Sequence, residues 1–224
     1  MTEPTLIFDL HGVLVDSEGI LCGIMADQLR AQGVTISAEE ARKAFSGLSA
    51  PMRLVVAMEQ FGAAIDAGLL QAEENRQLKE RLQPVRHIAW ALDSLAAMPS
   101  CIAATARPER IDQCLALTGL DGFFPPERRF SITAVDQEKP SPALFQHAAS
   151  QLGADRKLCM VIEDSADGAT AARRAWMTPV GYAERGVGID ALVGSGAIAC
   201  SDMRSLPAMV QGIWNNHLRF PQDG

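Results

Sequence analysis

The sequence predicts an α/β fold: a doubly wound, Rossmann-like parallel sheet carrying an inserted helical domain. Three observations predict it. Short apolar runs without alternation recur along the chain: Leu6-Ile7-Phe8, Cys101-Ile102-Ala103-Ala104 and Met160-Val161-Ile162, with weaker copies at Pro179-Val180-Gly181-Tyr182 and Ala197-Ile198-Ala199-Cys200. Runs of this length, apolar at every position, suit strands covered on both faces of a parallel sheet. Segments of helical period lie between them, at 86–98, 108–118, 141–152 and 166–176, and strand–helix alternation implies a doubly wound sheet. The third observation is an interruption. Residues 15–83 contain no strand signal and read as four helices, at 17–32, 38–45, 52–60 and 67–82, punctuated by Gly33, Gly47 and Gly62 and stopped by Pro84. The predicted division is therefore an α/β core of residues 1–14 and 84–224 and a helical domain of residues 15–83. A further strand is expected over 131–135, and the polar tail from Arg219 is expected to fray.

Composition narrows the function classes. A chain of 224 residues buries about 70–75% of its unfolded surface without staples. With 48% hydrophobic and 21% charged residues it is an ordinary globular sequence and not a disordered one. Lys and Arg number 20 against 27 Asp and Glu, a net charge of −7, which argues against a nucleic-acid or anionic-membrane partner. A small anionic substrate is still allowed, because a local site can oppose the global sign. The five cysteines are scattered, with no C-x-x-C pair, so neither a disulfide framework nor a zinc site is indicated. The first residues, with Glu3 and Pro4, lack the layout of a signal peptide, and no uncharged apolar run reaches the length of a membrane span. A cytoplasmic location is expected. Trp90, Trp176 and Trp214 are expected to pack in the core or at an interface, and His87 and His147 to be ordinary surface or helix residues.

In open α/β sheets ligands bind beyond the carboxyl ends of the strands. The residues in those places are Asp9, Thr105 and the pair Glu163-Asp164, with Lys139-Pro140 following the strand expected at 131–135. Clustered carboxylates repel unless a cation holds them, and oxygen-only ligation suits Mg²⁺. A lysine and a hydroxyl beside them suit an anion such as a phosphoryl group. Asp167 reads as a first-turn helix acid before it reads as a ligand. Arg53, in the third predicted helix, reads as part of a solvated helix face or as a contact to an anionic substrate.

Four segments in register carry a resemblance. Phe8-Asp9-Leu10-His11-Gly12-Val13-Leu14-Val15-Asp16-Ser17-Glu18, then Ala104-Thr105, then Lys139-Pro140-Ser141-Pro142, then Glu163-Asp164-Ser165-Ala166-Asp167-Gly168 followed by Ala171-Ala172, resemble the motifs of the haloacid dehalogenase superfamily. The likeness is to its β-phosphoglucomutase-like phosphatases, and residues 15–83 fall at that family's cap position. The resemblance implies a Mg²⁺-dependent phosphatase acting on a small phosphorylated metabolite, with Asp9 as nucleophile forming an aspartyl-phosphate. It implies Mg²⁺ ligation by Asp9, Asp164 and the backbone carbonyl of His11, with Glu163 close by. Thr105 would bond the phosphoryl oxygens, Lys139 would neutralise charge, and backbone N–H groups around His11 and Gly12 would complete the cradle. Ala106 and Arg107 lie where relatives touch the substrate, although Arg107 reads equally well as an exposed loop residue.

His11 departs from the pattern. The family's motif is Asp-x-Asp, whose second Asp protonates the leaving oxygen and then activates water. Three readings stand for His11: it shuttles the proton itself, the chemistry has lapsed and left a phosphate-binding protein, or the residue is an introduced exchange. Imidazole suits acid–base work near neutral pH, and nearby carboxylates are expected to favour its cation. The resemblance also sets relatives apart. A dehalogenase would carry an aromatic residue at position 11. A phosphonoacetaldehyde hydrolase would carry a small residue there and a Schiff-base lysine that Lys43 and Lys79 do not match. A mutase would want basic residues where this chain has Ser46 and Ala50. Monoester hydrolysis is the reading that remains.

Overall fold

A computed structural model describes residues 4–184 and 188–219. The tail expected to fray lies, after Arg219, outside the described residues. Six strands form one all-parallel sheet: β1 (Thr5–Phe8), β2 (Ser100–Ala104), β3 (Arg129–Ser131), β4 (Cys159–Glu163), β5 (Thr178–Tyr182) and β6 (Ile198–Cys200). Their order is β3-β2-β1-β4-β5-β6. This is the doubly wound order, which reverses direction between β1 and β4, and ligands of such sheets bind at that switch point.

The apolar runs are continuous because both faces of the sheet are covered. Leu6, Phe8, Ile102, Ala104, Met160, Ile162 and Val180 pack into the core on one face. Ile7, Cys101, Ala103, Cys159 and Val161 pack on the other, under α7 (Ala143–Leu152) and α8 (Ala166–Arg174). The two-residue period of a strand sends neighbours to opposite cores, so the middles of the central strands are apolar on both faces. The expected strand at 131–135 is corrected. The strand ends at Ser131, and Ile132–Ala134 turn as a 3₁₀ helix. Ser131 causes the turn: its Oγ accepts from the Thr133 N–H at 3.1 Å and donates to the Ala106 carbonyl at 2.6 Å.

Between β1 and β2 lie α1 (Glu18–Ala31), α2 (Ala38–Phe45), α3 (Ala50–Phe61) and α4 (Ala67–Arg81), followed by α5 (Ile88–Ser94). Local chemistry sets their ends. Ser37 and Glu40 form a capping box on α2, Ser49 caps α3, Asp66 caps α4, and Gly62 closes α3 in the left-handed conformation. The two chain segments that join this insert to the sheet run side by side: Asp16 N–H donates to the Gln83 carbonyl and Val85 N–H to the Leu14 carbonyl, both at 2.9 Å. Buried apolar residues continue unbroken from Phe8 and Ile162 through Leu14 to Ile24, Leu70 and Leu78, so the insert shares its core with the sheet. The remaining helices are α6 (Pro108–Thr118), α9 (Ile189–Gly194) and α10 (Leu206–Arg219). Two of the three tryptophans do not pack in the core. Trp90 and Trp176 are 51% and 72% exposed, and Trp176 holds a left-handed φ of 65°. Trp214 does pack against the core.

Candidate active site

The register of the sheet places the chemistry. Phe8 pairs with Ile102 on one side and Ile162 on the other, so Asp9 leaves the sheet beside the carboxyl ends of β2 and β4. The Asp9 N–H continues the ladder to the Ile162 carbonyl at 3.0 Å. Thr105 follows β2, Glu163 ends β4 and Asp164 follows it. Carboxylate oxygens of Asp9, Glu163 and Asp164 lie within 4.8 Å of one another. Lys139 reaches in from the loop before α7, bonding Asp9 Oδ1 at 2.7 Å and also Glu163 Oε1. It makes no hydrogen bond to Asp164 among the described residues. Its aliphatic stem brings Nζ to 5.1 Å from the Phe145 ring centroid.

Burial makes this cluster electrostatically tense. Asp9 is pushed up to about 7, first by burial and then by the Glu163 charge, against the opposing pull of Lys139. Asp164 is raised well above the ordinary carboxylate range by burial and by Glu163, Glu18 and Asp9. Burial opposes the charge on Lys139, but Asp9 and Glu163 outweigh it and hold the ammonium ion firmly protonated. One lysine thus leaves three carboxylates undercompensated. An all-oxygen donor set of this kind suits a small hard dication.

Small residues let the carboxylates approach. A Cβ on Gly12, whose φ is +75°, would fall 1.9 Å from Asp164 Oδ2. A Cβ on Gly168 would fall 2.0 Å from the Glu163 carboxyl group. Close approach is therefore what Gly12 supplies, because its N–H already donates to the Val15 carbonyl at 2.9 Å. Ser165 fixes Glu163 from the other side: its N–H and its Oγ each donate to Glu163 Oε2 at 2.8 Å, while its Oγ accepts from the Gly168 N–H and caps α8. The sequence reading missed Ser165 and Gly168 as supports of Glu163, although both stand inside the fourth motif. Asp167 is exposed in the first turn of α8, outside the carboxylate trio, as its reading as a helix acid expected.

His11 is not the cation that the carboxylates were expected to favour. Burial and the nearby charges of Arg53, Arg110 and Lys139 lower it to about 3, so its imidazole is neutral. Nδ1 is 2.7 Å from the buried Ser17 Oγ, which sets the ring's orientation. The loop between α2 and α3 lies over the same end of the sheet. Glu18 accepts from Ser46 Oγ and from the Gly47 N–H, and Gly47 sits against Ser165. Thr105 and Ala106 are buried after β2, and Arg107 is exposed.

The family model of haloacid dehalogenase-like hydrolases matches residues 6–181. The chain belongs to that family. Among curated relatives, it is 26% identical over 168 residues to a 6-phosphogluconate phosphatase of Escherichia coli (strain K12), covering 73% of this chain and 75% of that protein. It is 28% identical over 221 residues to a phosphoglycolate phosphatase of Rhodobacter capsulatus, covering 93% and 97%. A solved haloacid dehalogenase-like protein of unknown function from Agrobacterium tumefaciens str. C58 superposes with a TM-score of 0.81 at 29% identity, covering 94% of this chain and 99% of that one. The chain is thus a hydrolase with phosphatases among its relatives. No helix among the described residues is long and apolar enough to cross a membrane.

Proposed function

We propose that this protein is a phosphatase of small phosphomonoesters that works through an aspartyl-phosphate on Asp9, in the cytoplasm. The observation that carries the reading is the buried Asp9 carboxylate, bonded to Lys139 and grouped with Glu163 and Asp164 at the switch point of the sheet. A carboxylate attacks a phosphate dianion only where charge is neutralised on both sides. Lys139 supplies part of that neutralisation. Asp9, Asp164, Glu163 and the carbonyl of His11 would hold Mg²⁺, which supplies Lewis-acid stabilisation of the phosphoryl oxygens when bound. In the first step an Asp9 oxygen bonds to phosphorus and the ester P–O bond breaks, the leaving alkoxide taking its proton from water. In the second, water attacks the phosphorus and gives its proton to His11, the Asp9–phosphorus bond breaks, and inorganic phosphate leaves with Asp9 restored as a carboxylate. Thr105 would bond the phosphoryl oxygens, and Ala106 and Arg107 would line the path of the alcohol. Residues 15–83 act as a cap over this site, their two connecting segments serving as the hinge.

The proton needs a carrier, and His11 is the residue in position. As a neutral imidazole bonded to Ser17 it can accept a proton more readily than it can donate one. A dication nearby would push the same way. Loss of the leaving alkoxide is therefore the slow step, which favours a weak phosphatase on poor leaving groups. The test is turnover of an aryl phosphate with and without Mg²⁺, together with trapping of the acyl phosphate on the protein. Expected are Mg²⁺-dependent turnover and one labelled carboxylate, both absent in Asp9→Asn. Turnover that persists in Asp9→Asn would end this mechanism.

A further inference from the structure

The reacting groups are closed off from solvent. Asp9 is 5% exposed, and the side chain of Lys139, which bonds it, is 6% exposed. An ester cannot reach a nucleophile buried to this degree unless something moves. The loop between α2 and α3 lies over this end of the sheet, with Gly47 against Ser165, so the insert is the part that must lift. Away from the connecting segments, two side-chain hydrogen bonds tie the insert to the core among the described residues. Ser49 Oγ, at the start of α3, donates to Glu138 Oε1 in the loop that carries Lys139. Arg110 Nη2, on α6, donates to Glu74 Oε2, on α4, at 3.0 Å, with the two side chains 14% and 4% exposed.

Arg53 shows how these ties can part. One reading placed it on a solvated helix face, but it is buried. Nη2 bonds Glu74 Oε1, and Nη1 donates to the Leu48 carbonyl at 3.0 Å. Arg53 and Glu74 both belong to the insert and travel together. A buried carboxylate that loses its partner is strongly destabilising. Glu74 never does, because it keeps Arg53 when Arg110 is withdrawn. Arg110 in turn keeps Gln113 Oε1, 3.0 Å from its Nη1. Ser49 keeps the Met52 N–H that it caps, and Glu138, half-buried, turns to water. Both ties therefore part without stranding a buried charge. Arg53 also links them, since it holds the residue before Ser49 and the carboxylate that Arg110 holds. We propose that Ser49–Glu138 and Glu74–Arg110 form a two-point clasp that shuts the insert over Asp9 and releases as a unit. Arg53 couples the two points, and the paired segments at residues 14–16 and 83–85 are the hinge.

The need to open rests on the phosphatase reading, whereas the clasp is read without turnover. The probes are spin labels at Glu59→Cys on α3 and Lys157→Cys in the core, both exposed positions. The five native cysteines are buried, which confines labelling to these two. Pulsed electron resonance gives the distance distribution, and the quantity read is the ratio of open to closed populations. Each tie is a hydrogen bond to a charged group, worth roughly 10- to 100-fold in that ratio. Glu138→Ala and Arg110→Gln should each raise the ratio by that factor, and together by about the product. Ser49→Ala added to Glu138→Ala should raise it no further, because both remove one bond. Glu138→Gln keeps the acceptor oxygen and should stay close to the unaltered protein. If Arg110→Gln does not fold by circular dichroism, Glu138→Ala decides alone. An unaltered distribution in Glu138→Ala with Arg110→Gln, or a Glu138→Gln protein as open as Glu138→Ala, overturns the clasp and leaves the phosphatase reading in place. Absence of aryl phosphate turnover in a protein whose distributions shift as expected overturns the phosphatase reading and leaves the clasp.

Discussion

His11 is the residue on which the chemistry turns. Its side chain is half-buried, bonded to Ser17 and held from protonation, where the resembled motif carries Asp. Asp at position 11 could donate a proton to the leaving oxygen and later take one from water. We expect His11→Asp to raise turnover by about 10²–10⁴-fold, the usual worth of a positioned general acid/base. The gain should be largest for sugar phosphates, whose alkoxides leave poorly, and small for aryl phosphates in the first step. Steady-state kinetics on both ester types measures it. Loss of activity in His11→Asp, with a pH limb near the ordinary imidazole pKa in the unaltered protein, would instead make His11 a working catalyst.

At the scale of elements, α8 does two jobs from its two ends. Its N-terminal turn supports Glu163 through Ser165 and makes room for it at Gly168. Gly168→Ala would drive a methyl group into the Glu163 carboxyl group, so it should cost about 1–3 kcal/mol by overpacking. It should also weaken Mg²⁺ binding, and denaturant unfolding with and without Mg²⁺ separates the two effects. The C-terminal end leads to Trp176, which is left-handed and mostly exposed, its N–H donating to the Arg173 carbonyl at 3.0 Å. A side chain in that conformation costs about 1–2 kcal/mol, and glycine returns part of this as unfolded-state entropy. Trp176→Gly should therefore raise stability by about 0.5–1 kcal/mol, read as a higher urea midpoint. An unchanged or lower midpoint would show that the indole makes up the difference.

Across the whole molecule, the site is a stability problem that a cation would solve. Asp9 and Asp164 have folded-state values above the unfolded carboxylate range, through burial and through Glu163 and Glu18, with only Lys139 opposing. The folded chain then holds protons that the unfolded chain releases. Stability of the metal-free protein should accordingly fall as pH rises from about 4 towards about 7. Mg²⁺ should raise the melting temperature more at about pH 8 than at about pH 5, because only ionised carboxylates bind it. Asp164→Asn should melt higher than the unaltered protein without metal at the higher pH, and should gain less from Mg²⁺. Calorimetry across pH checks all three, and an Asp164→Asn protein that keeps the full Mg²⁺ gain would remove Asp164 from the metal site.

The sequence by itself determined the sheet, the helices of the insert and the residues at the strand ends. Strands covered on both faces are apolar through their middles, helices declare their caps locally, and Asp9, Thr105 and the pair Glu163-Asp164 follow apolar runs. It misplaced what depends on a side chain bending the main chain, such as the turn that Ser131 makes after β3. Tertiary structure alone decided the protonation of His11, because the arginines that bear on it stand 42 and 99 residues away along the chain. The burial of Arg53 was decided in the same way. A charged residue on a helix looks solvated until Glu74, 21 residues on, is packed against it. Periodicity reports which face of an element is apolar, but not which distant charges the fold brings together, and it is those charges that set the electrostatics of this site.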